Sequence, residues 1–299
     1  MMTQADYKIL DMYSDILKSP RVRGDKDEEN RWEIFCYPLH FNISDWRLPL
    51  LTTKKMQWKS LAVELLWFLR GETNVEFLHR HGVRIWDTWA NEDGDIGPVY
   101  GKLWRDIPAD PLASRSDAGG TIDQLANVVA SLRYRPQARS HVMVAWRPDW
   151  LPLGSIKPCH VYFQFYRYGD ELELMLTQRS CDAFLGVPFN IAQFSLLAHI
   201  VAHMLGIRAV RFHWIGGDVH IYENHFEQVR EQLRREPERN DWRPVPPKVF
   251  IRREPQDDPG DYDFNDFELV GYEHMGALPA SISPQGKPKQ GITTSKGGE

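Results

Sequence analysis

The chain has 299 residues, a formal net charge of −5, 42% hydrophobic and 26% charged residues. That balance suits a globular protein and gives no global pull toward nucleic acid or an anionic membrane, so any anion site must be local. Three cysteines, Cys36, Cys159 and Cys181, cannot all pair; a disulfide scaffold is excluded and a reducing cytoplasm is expected, the host's if the chain is viral.

The opening residues have no basic segment leading into an apolar one, so no secretory signal is expected. Residues 5–18 place Ile9, Met12, Tyr13, Ile16 and Leu17 at helical spacing. Residues 21–31, RVRGDKDEENR, read as a charged loop, and 32–43 as a strand with Cys36 as a buried structural thiol. Residues 59–69 predict an amphipathic helix whose Leu61, Leu65, Leu66, Phe68 and Leu69 surround Glu64, with Gly71 just beyond as its stop. The acidic stretch 91–97 should be loop, and 108–120, rich in Pro, Ser, Ala and Gly, a surface insertion. Strands are predicted over 142–146, 160–168 and 171–178, the last two joined by a Gly169-Asp170 turn. Residues 191–205 form an almost wholly apolar helix that should be central, though no apolar run approaches the ~18 residues of a membrane span. Residues 284–299 have no aromatic and are expected to be a disordered tail. With no repeat and no wide linker, residues 1–283 read as one α+β domain.

Chemistry concentrates around Cys159. A thiol attacks as thiolate, and a nearby cation favours that form; Arg179 lies across the predicted hairpin and can supply it. Cys181 reads as packing. Glu64 sits beside Leu65-Leu66-Trp67-Phe68, where a carboxylate without a use would be costly to bury. His199 and His203, four apart on an apolar helix, have no glutamate between them, so no metal site is expected.

Lys157-Pro158-Cys159-His160, Gln178-Arg179-Ser180-Cys181-Asp182 and Gly186-Val187-Pro188-Phe189-Asn190, the last read as a turn, together resemble the core of the thymidylate synthase family. The likeness runs from about residue 34 to residue 282. It implies a mixed β-sheet packed with helices, one sheet face forming a homodimer interface. It also implies folate-dependent one-carbon transfer to carbon 5 of dUMP, with 5,10-methylenetetrahydrofolate as cofactor. Cys159 would add to carbon 6, making carbon 5 reactive as an enolate. Glu64 would organise water for proton transfers, and Tyr100 matches the tyrosine of proton removal.

Asn190 can donate to oxygen 4 and accept from the ring N–H, which fits uracil; relatives acting on cytosine nucleotides have aspartate there. Arg179 and Ser180 would hold the phosphate, with Arg139 reaching the partner subunit's phosphate. His220 and Tyr222, two apart on a strand and so on one side, would clamp the 3′-hydroxyl. On the folate side stand Trp86, Trp89, Ile156, Gly186 and Phe189, with Asp182 as a pterin contact. Pro279-Ala280-Ser281-Ile282 resembles the family's closing segment, which residues 283–299 extend.

Two positions depart from the family. Lys26 stands where the phosphate loop has arginine, as in some hydroxymethylases, and Ser140 replaces the second of two adjacent arginines. Lysine is a point charge and cannot reproduce an arginine fork; Arg21, Arg23 or Arg31 are alternative cations. One alternative is therefore a dUMP hydroxymethylase, in which water adds to the exocyclic methylene. A nucleotide- or RNA-binding regulator is the alternative of another class. Cys159, Glu64, Tyr100 and Asn190 together favour the enzyme, and the net charge speaks against nucleic acid.

Overall fold

A computed structural model describes residues 2–24, 29–109, 120–235 and 243–282. In chain order the elements are α1 (Gln4–Lys18), β1 (Arg21–Val22), β2 (Arg31–Asn42), α2 (Trp58–Leu69), α3 (Glu76–Arg80), α4 (Gly101–Arg105), β3 (Ile107–Pro108) and β4 (Thr121–Ile122). There follow α5 (Gln124–Tyr134), β5 (Val142–Val144), β6 (His160–Tyr168), β7 (Glu171–Asp182), α6 (Gly186–Met204), β8 (Arg208–Tyr222), α7 (Phe226–Arg234), β9 (Lys248–Ile251) and β10 (Phe267–Val270). Six strands form one mixed sheet in the order β1-β2-β8-β7-β6-β5. Only β7 and β8 run parallel there, and α6 makes the crossover that parallel neighbours require. The chain is thus a single α+β domain with helices packed on a mixed sheet.

The helices follow from local chemistry. Thr3 caps α1 by accepting from the Asp6 N–H, and Ile9, Met12, Tyr13 and Ile16 bury its inner stripe. Helix α2 ends at Arg70, and Gly71 takes φ 72, the left-handed conformation that a glycine stop allows.

Three expectations need correction. Cys36 is exposed, not buried, and sits at φ 62 between the register pairs Phe35↔Asp218 and Tyr37↔Gly216. Cys36 stands opposite Gly217, both left out of the ladder pairs, and its left-handed backbone reverses the side-chain alternation so that Trp32 and Ile34 before it, and Leu39 and Phe41 after it, all face the core. The residues read as a Gly-x-Pro-Phe-Asn turn are instead the first turn of α6, where Pro188 costs nothing because its missing N–H would have no helical partner. Finally, α6 is long and apolar enough to cross a membrane by length and composition, but 83% of that stretch is buried inside the fold. Lys26, residues 110–119 of the insertion and the tail 284–299 lie outside the described residues.

The sheet face away from the core carries large exposed side chains: Phe35 at 83%, Tyr168 at 73% and Tyr166 at 55%.

Candidate active site

Cys159 leads into β6 and is pinned through its backbone. Its N–H donates to the Tyr100 hydroxyl (3.1 Å), and its carbonyl accepts from the Arg179 N–H (2.9 Å). The Arg179 guanidinium folds back to donate to the carbonyls of Pro158 and Lys157, both at 2.8 Å. The cross-hairpin placement expected for Arg179 is therefore present. Its electrostatic outcome is not: burial pushes the Cys159 thiol up, outweighing the downward pull of Arg179 and of the Tyr100 hydroxyl. Taking an anion out of water costs more here than one neighbouring cation offsets.

Tyr100 enters α4 at φ 37 and ψ −97, a conformation that L-residues rarely adopt and that surrounding structure must enforce. Its ring packs against Phe68 (4.9 Å), His160 (5.3 Å) and Trp86 (5.7 Å). The turn before it closes because Gly97, at φ 76, has no side chain; a Cβ there would meet the Leu153 carbonyl oxygen at 2.5 Å.

Glu64, on the inner face of α2, accepts from Trp86 Nε1 at 2.6 Å and from Gln193 Nε2 at 2.7 Å. Burial pushes its carboxyl up to about 7, against the lowering effect of those two bonds. Two neighbouring buried atoms, Gln193 Oε1 and His160 Nδ1, have no hydrogen-bond partner among the described residues. Burial holds the His160 imidazole down at about 4, so it is neutral near pH 7, and it lies within bonding reach of Asn190. Asn190 projects from the first turn of α6, three residues before Gln193 and on the same face, and its Oδ1 accepts from Gln178 Nε2 at 3.1 Å.

Asp182 ends β7. Its Oδ1 accepts from the N–H groups of Phe184 (3.0 Å) and Leu185 (3.1 Å) and lies 3.6 Å from His225 Nδ1. Against the upward push of burial, His225 and the backbone donors hold this carboxyl below its usual range. His225 in turn donates from Nε2 to the Ser281 carbonyl at 2.8 Å, so the C-terminal segment is tied to Asp182 through one imidazole. Lys54 is buried nearby: it donates to the Phe184 carbonyl, its Nζ lies 3.6 Å from the Phe184 ring centroid, and burial lowers its ammonium to about 7.

On β8, His220 and Tyr222 lie side by side, ring centroids 4.6 Å apart, with His220 Nδ1 bonded to Asp218 at 2.8 Å. Trp86 and Trp89 are 5.3 Å apart, and Ile156 and Phe189 are partly buried against the core. Gly186 leaves room between Asp182 and Asn190, each 3.6 Å from where its Cβ would be. Ser180 is half-buried, its carbonyl accepting from Gln178.

Of the predicted site residues, the fold gathers Cys159, Tyr100, Glu64, Trp86 and Asn190 into one cluster, Tyr100 and Trp86 buried and the other three half-buried, with Asp182 on its flank. Arg139 is exposed and takes part in none of these contacts. Of the alternative cations, Arg21 is engaged by Glu223, which also accepts from Asn30, and Arg31 pairs with Glu33 at 2.6 Å. Gln193, Lys54 and His225 were not foreseen. Gln193 had a signal, since a polar residue three beyond Asn190 on an apolar helix needs a partner. Lys54 and His225 had none.

A family profile described as thymidylate synthase matches residues 7–284. The chain belongs to the thymidylate synthase family. Membership makes it a transferase acting on pyrimidine nucleotides, in a family whose cosubstrate is methylenetetrahydrofolate.

Proposed function

We propose that this family member is a thymidylate synthase proper, converting dUMP to dTMP. The observation that carries the reading is the bridge made by Glu64. Its carboxyl joins Trp86, on the proposed folate wall, to Gln193, on the helix of Asn190, beside the Tyr100 that holds Cys159.

Cys159 loses its proton to solvent and adds as thiolate to carbon 6 of the uracil ring: the S–C6 bond forms, the C5=C6 electrons move toward oxygen 4, and carbon 5 becomes nucleophilic. The same bond breaks, with the thiolate as leaving group, when the C5=C6 bond is restored. Asn190 binds the base edge, and His220 with Tyr222 binds the sugar hydroxyl. Tyr100 and a water held at Glu64 remove the carbon 5 proton, a task suited to a carboxyl poised near 7. Arg179, Ser180 and Lys26 hold the phosphate together with Arg139 of a second copy, the two copies meeting through the sheet face of Phe35, Tyr166 and Tyr168. Residues for the folate fit as a set: Trp86, Trp89, Ile156, Phe189 and Gly186 form a wall, Asp182 offers acceptor capacity, and Gln193, bonded to the same Glu64 that holds Trp86, has a buried Oε1 without a partner among the described residues. When bound, 5,10-methylenetetrahydrofolate supplies the one-carbon unit and the hydride. Trp86, only 7% exposed, keeps water from the reacting carbon, which favours methyl over hydroxymethyl.

Mass spectrometry of the product, with tritium release from carbon 5 of labelled dUMP, tests this. dTMP and folate-dependent release are expected. 5-Hydroxymethyl-dUMP would replace the reading with the hydroxymethylase, and nucleotide binding without release would replace it with a binding protein.

A further inference from the structure

An asparagine alone does not choose between uracil and cytosine. Rotated by half a turn, its amide presents donor and acceptor in the opposite order and suits the other base. Base choice therefore depends on what stops that rotation. His160 cannot, because a neutral imidazole donates or accepts according to its tautomer.

A stop exists on the opposite side of the amide. Trp214, fully buried on β8, carries a donor-only indole N–H and donates to Gln178 Oε1 at 3.0 Å. Gln178, 2% exposed, must then turn its NH2 away from the indole. That NH2 donates to the Ser180 carbonyl, which can only accept, and to Asn190 Oδ1, each at 3.1 Å. Both outer anchors thus have a single hydrogen-bonding sense. A flip of Gln178 would set donor against donor at Trp214 and acceptor against acceptor at Ser180. A flip of Asn190 alone would set its NH2 against that of Gln178. The backbone makes room for the anchor: a Cβ on Gly216 would lie 2.3 Å from the Trp214 ring.

We infer that Trp214 and Gln178 are positioning residues for base selection, locking the Asn190 amide in one sense so that only one pyrimidine edge, uracil, is accepted. The identity of that edge rests on the proposed function; the lock rests on the hydrogen bonds.

The test compares kcat/KM for dUMP and dCMP in the full-length protein and in Trp214→Phe, Gln178→Met and Gln178→Glu. Trp214→Phe and Gln178→Met remove the lock, and the dUMP:dCMP ratio should fall about tenfold or more. Gln178→Glu should move it furthest, because a carboxylate cannot donate to Asn190 Oδ1 and draws the asparagine NH2 toward itself. A purely structural role would lower both substrates in proportion and leave the ratio unchanged. An unchanged ratio in folded variants overturns the inference, and the Gln178 pair carries the test if Trp214→Phe does not fold. Absence of any preference in the unmutated protein would instead overturn the uracil reading beneath it.

Discussion

Around Cys159, Tyr100 and Glu64 the side chains are buried or half-buried and held by directional hydrogen bonds; around Arg21, Arg31 and Arg139 they are exposed or half-exposed, and Arg21 and Arg31 are held by ion pairs. The first region fixes side-chain orientation through those bonds and shifts its carboxyl and thiol upward by burial. The second provides charge in a medium that screens it, where single ion pairs contribute little. Changes in the buried region should therefore be large, pH-dependent and insensitive to salt. Changes in the charged rim should be small, confined to nucleotide affinity and erased by salt.

The largest effect belongs to Cys159→Ala. It removes the proposed bond-forming atom, so turnover should fall to background while the fold, judged by circular dichroism and denaturant midpoint, stays intact. Residual turnover within about tenfold of the unmutated protein would move the nucleophile elsewhere.

Next comes Glu64→Gln, expected to lower kcat by about a hundredfold or more, the usual scale for a lost proton-transfer group. It also carries a stability signature. The folded carboxyl sits at about 7 against its ordinary 4.5, so the native state holds the proton more tightly than the unfolded chain. Its contribution is complete below about 4.5 and is lost as pH rises through 7. The variant lacks that slope, so its stability relative to the parent should improve from pH 4.5 to pH 8 in urea titrations. Parallel pH profiles would mean that Glu64 is not the buried acid described. The substitution is sterically mild, because Gln193 can turn its unpartnered Oε1 toward the new NH2.

The same contrast governs what could be read without coordinates. The strands at 160–168 and 171–178 and the helix at 5–18 were legible because each buries a stripe at its own period, and the helix at 59–69 because its apolar run is long; its burial is nearly all round, wider than the amphipathic face expected. Motif residues of the buried region were legible because Cys159, Asp182 and Asn190 each stand in a distinctive run. Trp214 was not: a tryptophan anchoring an amide and one filling a core look alike in sequence, and only the 3.0 Å bond to Gln178 separates them. Cys36 misled for a related reason. The strand pattern around it is apolar, and nothing in a linear pattern announces a left-handed residue that reverses the alternation and turns one side chain out.

A middle-sized effect is expected at the rim. Arg139→Ala should raise the KM for dUMP about tenfold, the loss of one charge-assisted bond, and leave deoxyuridine, which has no phosphate, unaffected. The effect should shrink at high salt, unlike that of Glu64→Gln. Sedimentation should give a mass near twice 34.9 kDa, since Arg139 has its proposed role only at a second copy's site. An active monomer would remove that role.

The smallest expected effect tests whether burial or charge decides to which region a contact belongs. His225 and Asp182 form a charge pair like those of the rim, but the His225 side chain is 0% exposed and its other nitrogen holds Ser281. Burial lowers the His225 pKa, yet the Asp182 carboxylate more than compensates and raises it above its ordinary 6.5. A group raised in this way contributes fully below 6.5, and the contribution is lost as pH rises through its folded value. Because the imidazole tethers the C-terminal segment beside the proposed folate site, the KM for folate in the unmutated protein should climb as pH rises from 6 to 9. His225→Gln can still donate to Ser281 but cannot carry charge, so its folate KM should be raised a few-fold at pH 6 and flat thereafter, with the dUMP KM unchanged. Because the pair is buried, salt should leave that pH dependence in place. A climb that vanishes at high salt would class the pair with the rim, and a variant that keeps the parent's climb would show that His225 does not couple Asp182 to the closing segment.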